Sequence, residues 1–113
     1  MTTLSSSPSS LTPDALQALP WQDCADWPGV TQKLLSTTSS SVSGLLRFAP
    51  GAGESLHAHL SGEHHVWVLS GTVRQDDSLL PAGSYVHVGA GVPHRLIDAG
   101  AGSVVLFVRV LSG

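Results

Sequence analysis

The chain has 113 residues, enough for one compact core and too short for two. Only 12% of residues are charged, while 12 glycines and seven prolines sit among 42% hydrophobic residues, a profile of short strands joined by turns. A formal net charge of −3, with five basic residues, excludes a cationic surface for phosphate backbones, so no nucleic-acid partner is expected.

Residues 1–13, rich in Ser, Thr and Pro, are expected to form a flexible N-terminal tail, with a single domain over residues 14–113. Asp14 to Leu19 predicts one helical turn, with Thr12 or Asp14 near its cap and Leu16 and Leu19 facing inward; Pro20 stops it. Trp21 and Trp27 flank a polar segment and are expected to close one end of the core or to pack across a dimer, rather than to bind substrate. The single cysteine, Cys24, excludes an intrachain disulfide. With no basic-then-apolar leader and no long apolar run, the protein is expected to be soluble and cytoplasmic, with no membrane partner.

From Val30 onward strands alternate with turns. Val30 to Ser36 and Val42 to Ala49 read as strands, the second with Val42, Gly44, Leu46 and Phe48 on its inward face. The stretch from Gly51 to Gly71, GAGESLHAHLSGEHHVWVLSG, holds four of the six histidines within nine residues. On a β-strand His57 and His59 project from the same side, and such a pair can chelate one metal ion. Ser61 and Gly62 are expected to break this strand. The next one places His64, Val66 and Val68 on one face and His65, Trp67 and Leu69 on the other, ending at a tight turn at Gly71. Beyond TVRQ and a polar turn at Asp76 to Ser78, Pro81 and Gly83 precede another strand, and Gly89 to Pro93 form a rigid loop delivering His94. The chain closes on SVVLFVRVL, a nearly continuous apolar strand. Some eight to ten short strands with little helix predict an all-β sandwich or barrel.

Two spacings read together resemble the paired motifs of the cupin superfamily, the RmlC-like jelly rolls. The first is Gly51, five residues, His57-Ala-His59, then Glu63 or His64, then Gly71; the second is Gly83, five residues, Gly89-Ala-Gly91, two residues, His94, three residues, Asp98. The second departs from the family pattern, which has Pro in place of Gly89 and Asn in place of Asp98. The resemblance covers roughly residues 30–110 and implies a double-stranded β-helix, or jelly-roll, cupin barrel with a short N-terminal extension. Within the superfamily, WPGVTQKLL, VLSGTV and PAGSYVHVGAGVPH make the chain similar to the zinc-binding cupin domain of ECF anti-sigma factors and to diketone-cleaving dioxygenases. An anti-sigma factor of that type also has an N-terminal helical, sigma-contacting domain, which is not expected here.

Carried over by position, the resemblance implies one divalent transition metal ion (Zn, Fe, Ni or Cu) held by His57, His59, Glu63 or His64, and His94. Counting forward from His59 gives Glu63 and counting back from Gly71 gives His64; the face shared with Val66 and Val68 favours His64. Such a site leaves one or two positions open. His65 and His87 fall on the opposite parity, outward or interfacial; Arg95 points away from His94, and Asp98 is expected to cap a turn rather than orient a ligand. Leu46, Phe48, Val66, Val68, Val86, Val88, Leu106 and Val108 are the expected walls of the cavity and its core, and Glu63 is the only nearby carboxylate expected to have a claim on the site.

Two readings of function compete. One is a metal-dependent enzyme acting on a small-molecule substrate: an oxygenase cleaving a diketone-like or other oxygenated compound, or a sugar or carbonyl isomerase. The other is a non-catalytic metal-binding or small-molecule-sensing module. Few surface charges and exposed sheet edges predict a homodimer.

Overall fold

The structure, a computed structural model, describes residues 9–59 and 62–111. Most of the expected tail, and Ser61 of the expected strand break, lie outside the described residues. A six-residue helix, α1 (Pro13–Ala18), starts with the Thr12 side chain accepting a hydrogen bond from the Ala15 amide and stops before Pro20. Nine strands follow among the described residues: β1 (Gln22–Asp23), β2 (Val30–Thr37), β3 (Ser41–Phe48), β4 (Glu63–Ser70), β5 (Thr72–Gln75), β6 (Ser78–Pro81), β7 (Tyr85–Val88), β8 (Ile97–Asp98) and β9 (Ser103–Val110). They pair antiparallel into a six-stranded sheet, β1-β2-β3-β9-β4-β7, and a three-stranded sheet, β6-β5-β8. This is the all-β jelly-roll architecture. No helix among the described residues is long and apolar enough to cross a membrane.

Val30, Leu46, Phe48, Val66, Val68, Val73, Val86, Val88, Leu96 and Val105 form the core. In β3 and β4 the burial follows the expected alternation. In β9 it does not: Val105 is buried and Phe107 packs against the core, whereas Leu106 and Val108 lie on the other parity. The expectation for Leu106 and Val108 therefore fails. A strand apolar on both faces carries no period-two signal, and its phase is set by pairing, with Leu106 opposite Leu45 and Trp67, and Val108 opposite Ser43 and His65. A row running Leu45, Leu106, Trp67, Tyr85 thus crosses four strands of the outer face.

The same outer face holds the N-terminal segment. Lys33 is buried there because its Nζ donates to the Leu16 carbonyl at 2.9 Å and lies 4.7 Å from the Trp21 ring centre, while Arg47 approaches that ring at 4.4 Å. Trp21 therefore serves as a cation platform on the sheet surface. Asp98 does cap a turn, its Oδ2 accepting from the amides of Gly51, Gly100 and Gly102. Burial opposes its charge, but these hydrogen bonds outweigh that and hold its pKa below the usual value.

Candidate metal centre

Four histidines converge from three segments. His57 and His59 lie between β3 and β4, His64 is the second residue of β4, and His94 lies between β7 and β8. The segment carrying His57 and His59 is not the regular strand expected; among the described residues its ladder contacts are isolated bridges, Gly53 with Ile97 and His57 with His94. Those contacts nevertheless position it. The His57 amide donates to the His94 carbonyl at 3.1 Å and the His94 amide to the His57 carbonyl at 2.8 Å, while the Glu54 amide donates to Leu96 at 2.9 Å. Gly53 permits this approach, because a Cβ there would sit 2.6 Å from the Leu96 carbonyl oxygen and 2.7 Å from the Ile97 Cα.

The imidazole ring centres are 4.3 Å apart for His57 and His94, 4.4 Å for His59 and His64, 5.1 Å for His57 and His59, and 5.6 Å for His64 and His94. Ligand nitrogens of His57, His59 and His94 all lie within 4.8 Å of one another, a triad that could hold a metal ion. Their Nε2 atoms, and Nδ1 of His64, are buried and have no hydrogen-bond partner. Leaving one such group unpaired costs roughly 1–3 kcal/mol, and three of them within 4.8 Å of one another, with His64 Nδ1 outside that triad but beside it, is the pattern expected of lone pairs arranged for a cation.

The proton positions agree. His57 Nδ1 lies 2.7 Å from the Ser55 carbonyl and His94 Nδ1 lies 3.0 Å from the Val92 carbonyl. A carbonyl only accepts, so each Nδ1 carries the proton and each Nε2 keeps its lone pair facing inward. Burial, followed by the charges of Arg109 and the neighbouring histidines, lowers the His59 pKa to about 4. Burial and the other rings of the cluster lower His64 to about 3, and burial lowers His94 too. These rings are neutral near pH 7 and need lose no proton to ligate. The donor set therefore fits a borderline transition metal.

A family model described as the ChrR cupin-like domain matches residues 14–112. The chain belongs to that family. No curated protein matches it. Among solved structures, KdgF from Halomonas sp. is 20% identical to this cupin with a TM-score of 0.77, over 93% of this chain and 96% of that one. An RmlC-like cupin from Shewanella frigidimarina is also 20% identical, with a TM-score of 0.73 over 85% and 86% of the two chains. A chain of the Rhodobacter sphaeroides complex of SigE with the anti-sigma ChrR is 23% identical, TM-score 0.71; the match covers 83% of this cupin and half of that chain. At these identities the likeness to solved structures shows the fold.

In the cupin, Glu63 and His64 go to opposite faces of β4. His64 turns toward the other three histidines, whereas the Glu63 carboxylate is exposed on the outer face, 3.5 Å from His87 Nε2 and 3.8 Å from His65 Nε2. The carboxylate near the histidines is Glu54, contrary to the expectation for Glu63. Glu54 is 7% exposed and its Oε1 accepts from the Leu96 amide at 3.0 Å. Burial raises its pKa, with His57 and the Leu96 amide acting against the rise. Its presence in the GAGES turn, next to a glycine, was the only sequence signal.

A cavity of about 130 Å³ adjoins the histidines, lined by Trp27, Gln32, Leu46, Glu54, His59, His64, Phe107 and Arg109. Arg109 Nε is buried there without a hydrogen-bond partner. Trp27 packs against the core, as expected, and also reaches the site: its ring centre lies 5.1 Å from that of His57, and its Nε1 donates to Ser55 Oγ at 3.0 Å. A larger cleft of about 470 Å³ elsewhere is lined by none of the histidines, and Arg47 is its only charged residue. The smaller cavity is where polar groups converge, and it is the candidate binding space.

Proposed function

We propose that this cupin, read as one domain over residues 14–113, holds a single divalent transition metal ion, Zn, Fe, Ni or Cu, through His57, His59, His64 and His94. We further propose that it acts on a small oxygenated, diketone-like substrate in the adjoining cavity. The observation that carries the reading is the convergence of four unpartnered imidazole nitrogens beside a cavity lined by the half-buried Arg109 and the buried carboxyl of Glu54. The cavity volume of about 130 Å³ equals the share of roughly four water molecules, so a small substrate, or the reacting end of a larger one, is what fits.

When bound, the metal would supply Lewis-acid polarisation of a substrate oxygen or, as iron, a place for oxygen chemistry. The chain's own groups have separate parts. Arg109 offers positive charge to a substrate carboxylate or enolate oxygen, and Glu54, its proton retained more readily than an exposed carboxyl's, can hold or release one at the cavity wall. Leu46, Phe107 and Trp27 keep the space apolar around them. Protein loaded with Fe²⁺ is expected to consume O₂ when given a simple β-diketone, measured with an oxygen electrode, and the His57→Ala/His94→Ala variant is expected not to. Oxygen uptake equal in both would remove the oxygenase reading and leave the carbonyl isomerase alternative.

The family match favours a second reading, a non-catalytic metal-binding or sensing module. Tight stoichiometric zinc, with no turnover by any metal form, is its signature. We also propose a homodimer packed through the outer-face row of Leu45, Leu106, Trp67 and Tyr85.

A further inference from the structure

β4 presents metal-binding side chains on both faces. His64 turns in, and its neighbours Glu63 and His65 turn out, two positions apart and therefore on one side of the sheet. Directly opposite His65 in the register of β4 and β7 stands His87. The two outer imidazole centres are 5.2 Å apart, and ligand atoms of Glu63, His65 and His87 all fall within 4.8 Å of one another.

The distances leave room for a shared cation. Glu63 oxygens lie 3.5 Å from His87 Nε2 and 3.8 Å from His65 Nε2. A charge-assisted hydrogen bond would close to about 2.8 Å. Two donors on one tetrahedral zinc, each about 2.0–2.1 Å from the metal, stand roughly 3.3 Å apart. The observed spacings are nearer the second geometry.

The donors are also held in place. His65 Nδ1 lies 2.6 Å from the Tyr85 hydroxyl, and its ring stacks against Trp67 and Tyr85 at 6.3 and 6.0 Å between centres. Its Nε2 is thereby left turned toward Glu63. All three residues sit on paired strands rather than on loops, so little ordering is needed on binding.

We infer that Glu63, His65 and His87 form a second metal site on the outer face of the six-stranded sheet, selective for borderline divalent ions such as Zn²⁺ and Cu²⁺. Two imidazoles and one carboxylate are a common zinc donor set. This site is independent of the inner one, which lies on the opposite face of β4.

The test is metal uptake by equilibrium dialysis against Zn²⁺, followed by Cu²⁺ quenching of Trp67 emission in a Trp21→Phe/Trp27→Phe chain. Wild type is expected to take up one more equivalent of Zn²⁺ than His65→Ala/His87→Ala. The His57→Ala/His94→Ala variant is expected to keep that outer equivalent, so failure of the inner site and failure of this one read differently. Cu²⁺ is expected to quench Trp67, with the quenching reduced several-fold by His65→Ala/His87→Ala. Equal zinc uptake by wild type and His65→Ala/His87→Ala would overturn the proposal, whether or not the two-tryptophan variant folds.

Discussion

His64 is the residue at which two ways of assigning the third ligand part company. Its Nδ1 is buried and unpartnered beside His59, while Glu63 faces solvent. His64→Ala is expected to weaken metal binding by more than the roughly 10–100-fold typical of an outer-shell change, and Glu63→Gln to leave the inner site's affinity unchanged; competition with a chromophoric chelator reads both. The depressed basicity of the cluster also sets a pH dependence. His59 and His64 have folded pKa values of about 4 and about 3, against 6.5 for the free side chain. The unfolded chain therefore binds protons first. Stability of the metal-free protein is expected to be unaffected by these rings above pH 6.5, to fall as pH drops from there through about 4 and 3, and to level off below. Denaturant titrations across that range check it. His64→Gln should flatten the lower part of the curve, and an unchanged slope would show that His64 is not buried neutral.

At the scale of elements, the histidine site depends on an irregular segment locked to its neighbour by a few backbone contacts. Gly53→Ala forces a Cβ against Leu96 and Ile97, an overpacking that typically costs about 1–3 kcal/mol. It is expected to shift His57 away from His94 and to lower both melting temperature and metal affinity, with circular dichroism showing the strands intact. Local pattern revealed those elements whose two faces differ. β3 and β4 alternate cleanly, and the Gly71 turn was readable because glycine adopts φ +74° there, where a Cβ would strike the Gly102 carbonyl oxygen. The phase of β9 is not encoded in its pattern because both its faces are apolar. The His57 segment reads as a strand in sequence because spacing alone does not distinguish a ladder from two isolated bridges. Glu54, Trp27 and Arg109 entered the site only through contacts between segments far apart in the chain, which no local pattern encodes.

For the molecule as a whole, two sheets enclose one apolar core, with the histidine cluster built from β4 and two connecting segments and an aromatic and histidine-bearing face left outside. Trp67, Leu69 and Tyr85 are exposed on or beside that face. Sedimentation velocity at micromolar concentration is expected to give a dimer, and Trp67→Glu to shift it to monomer; a wild-type monomer would contradict the homodimer. The central claim is the inner metal site. Elemental analysis of untagged protein purified without chelator, beside the His57→Ala/His94→Ala variant, tests it most directly. Wild type is expected to hold at least one equivalent of a transition metal and the variant one fewer. Equal metal content in the two proteins, or none in wild type after attempted loading with Zn²⁺, Fe²⁺, Ni²⁺ and Cu²⁺, would contradict it.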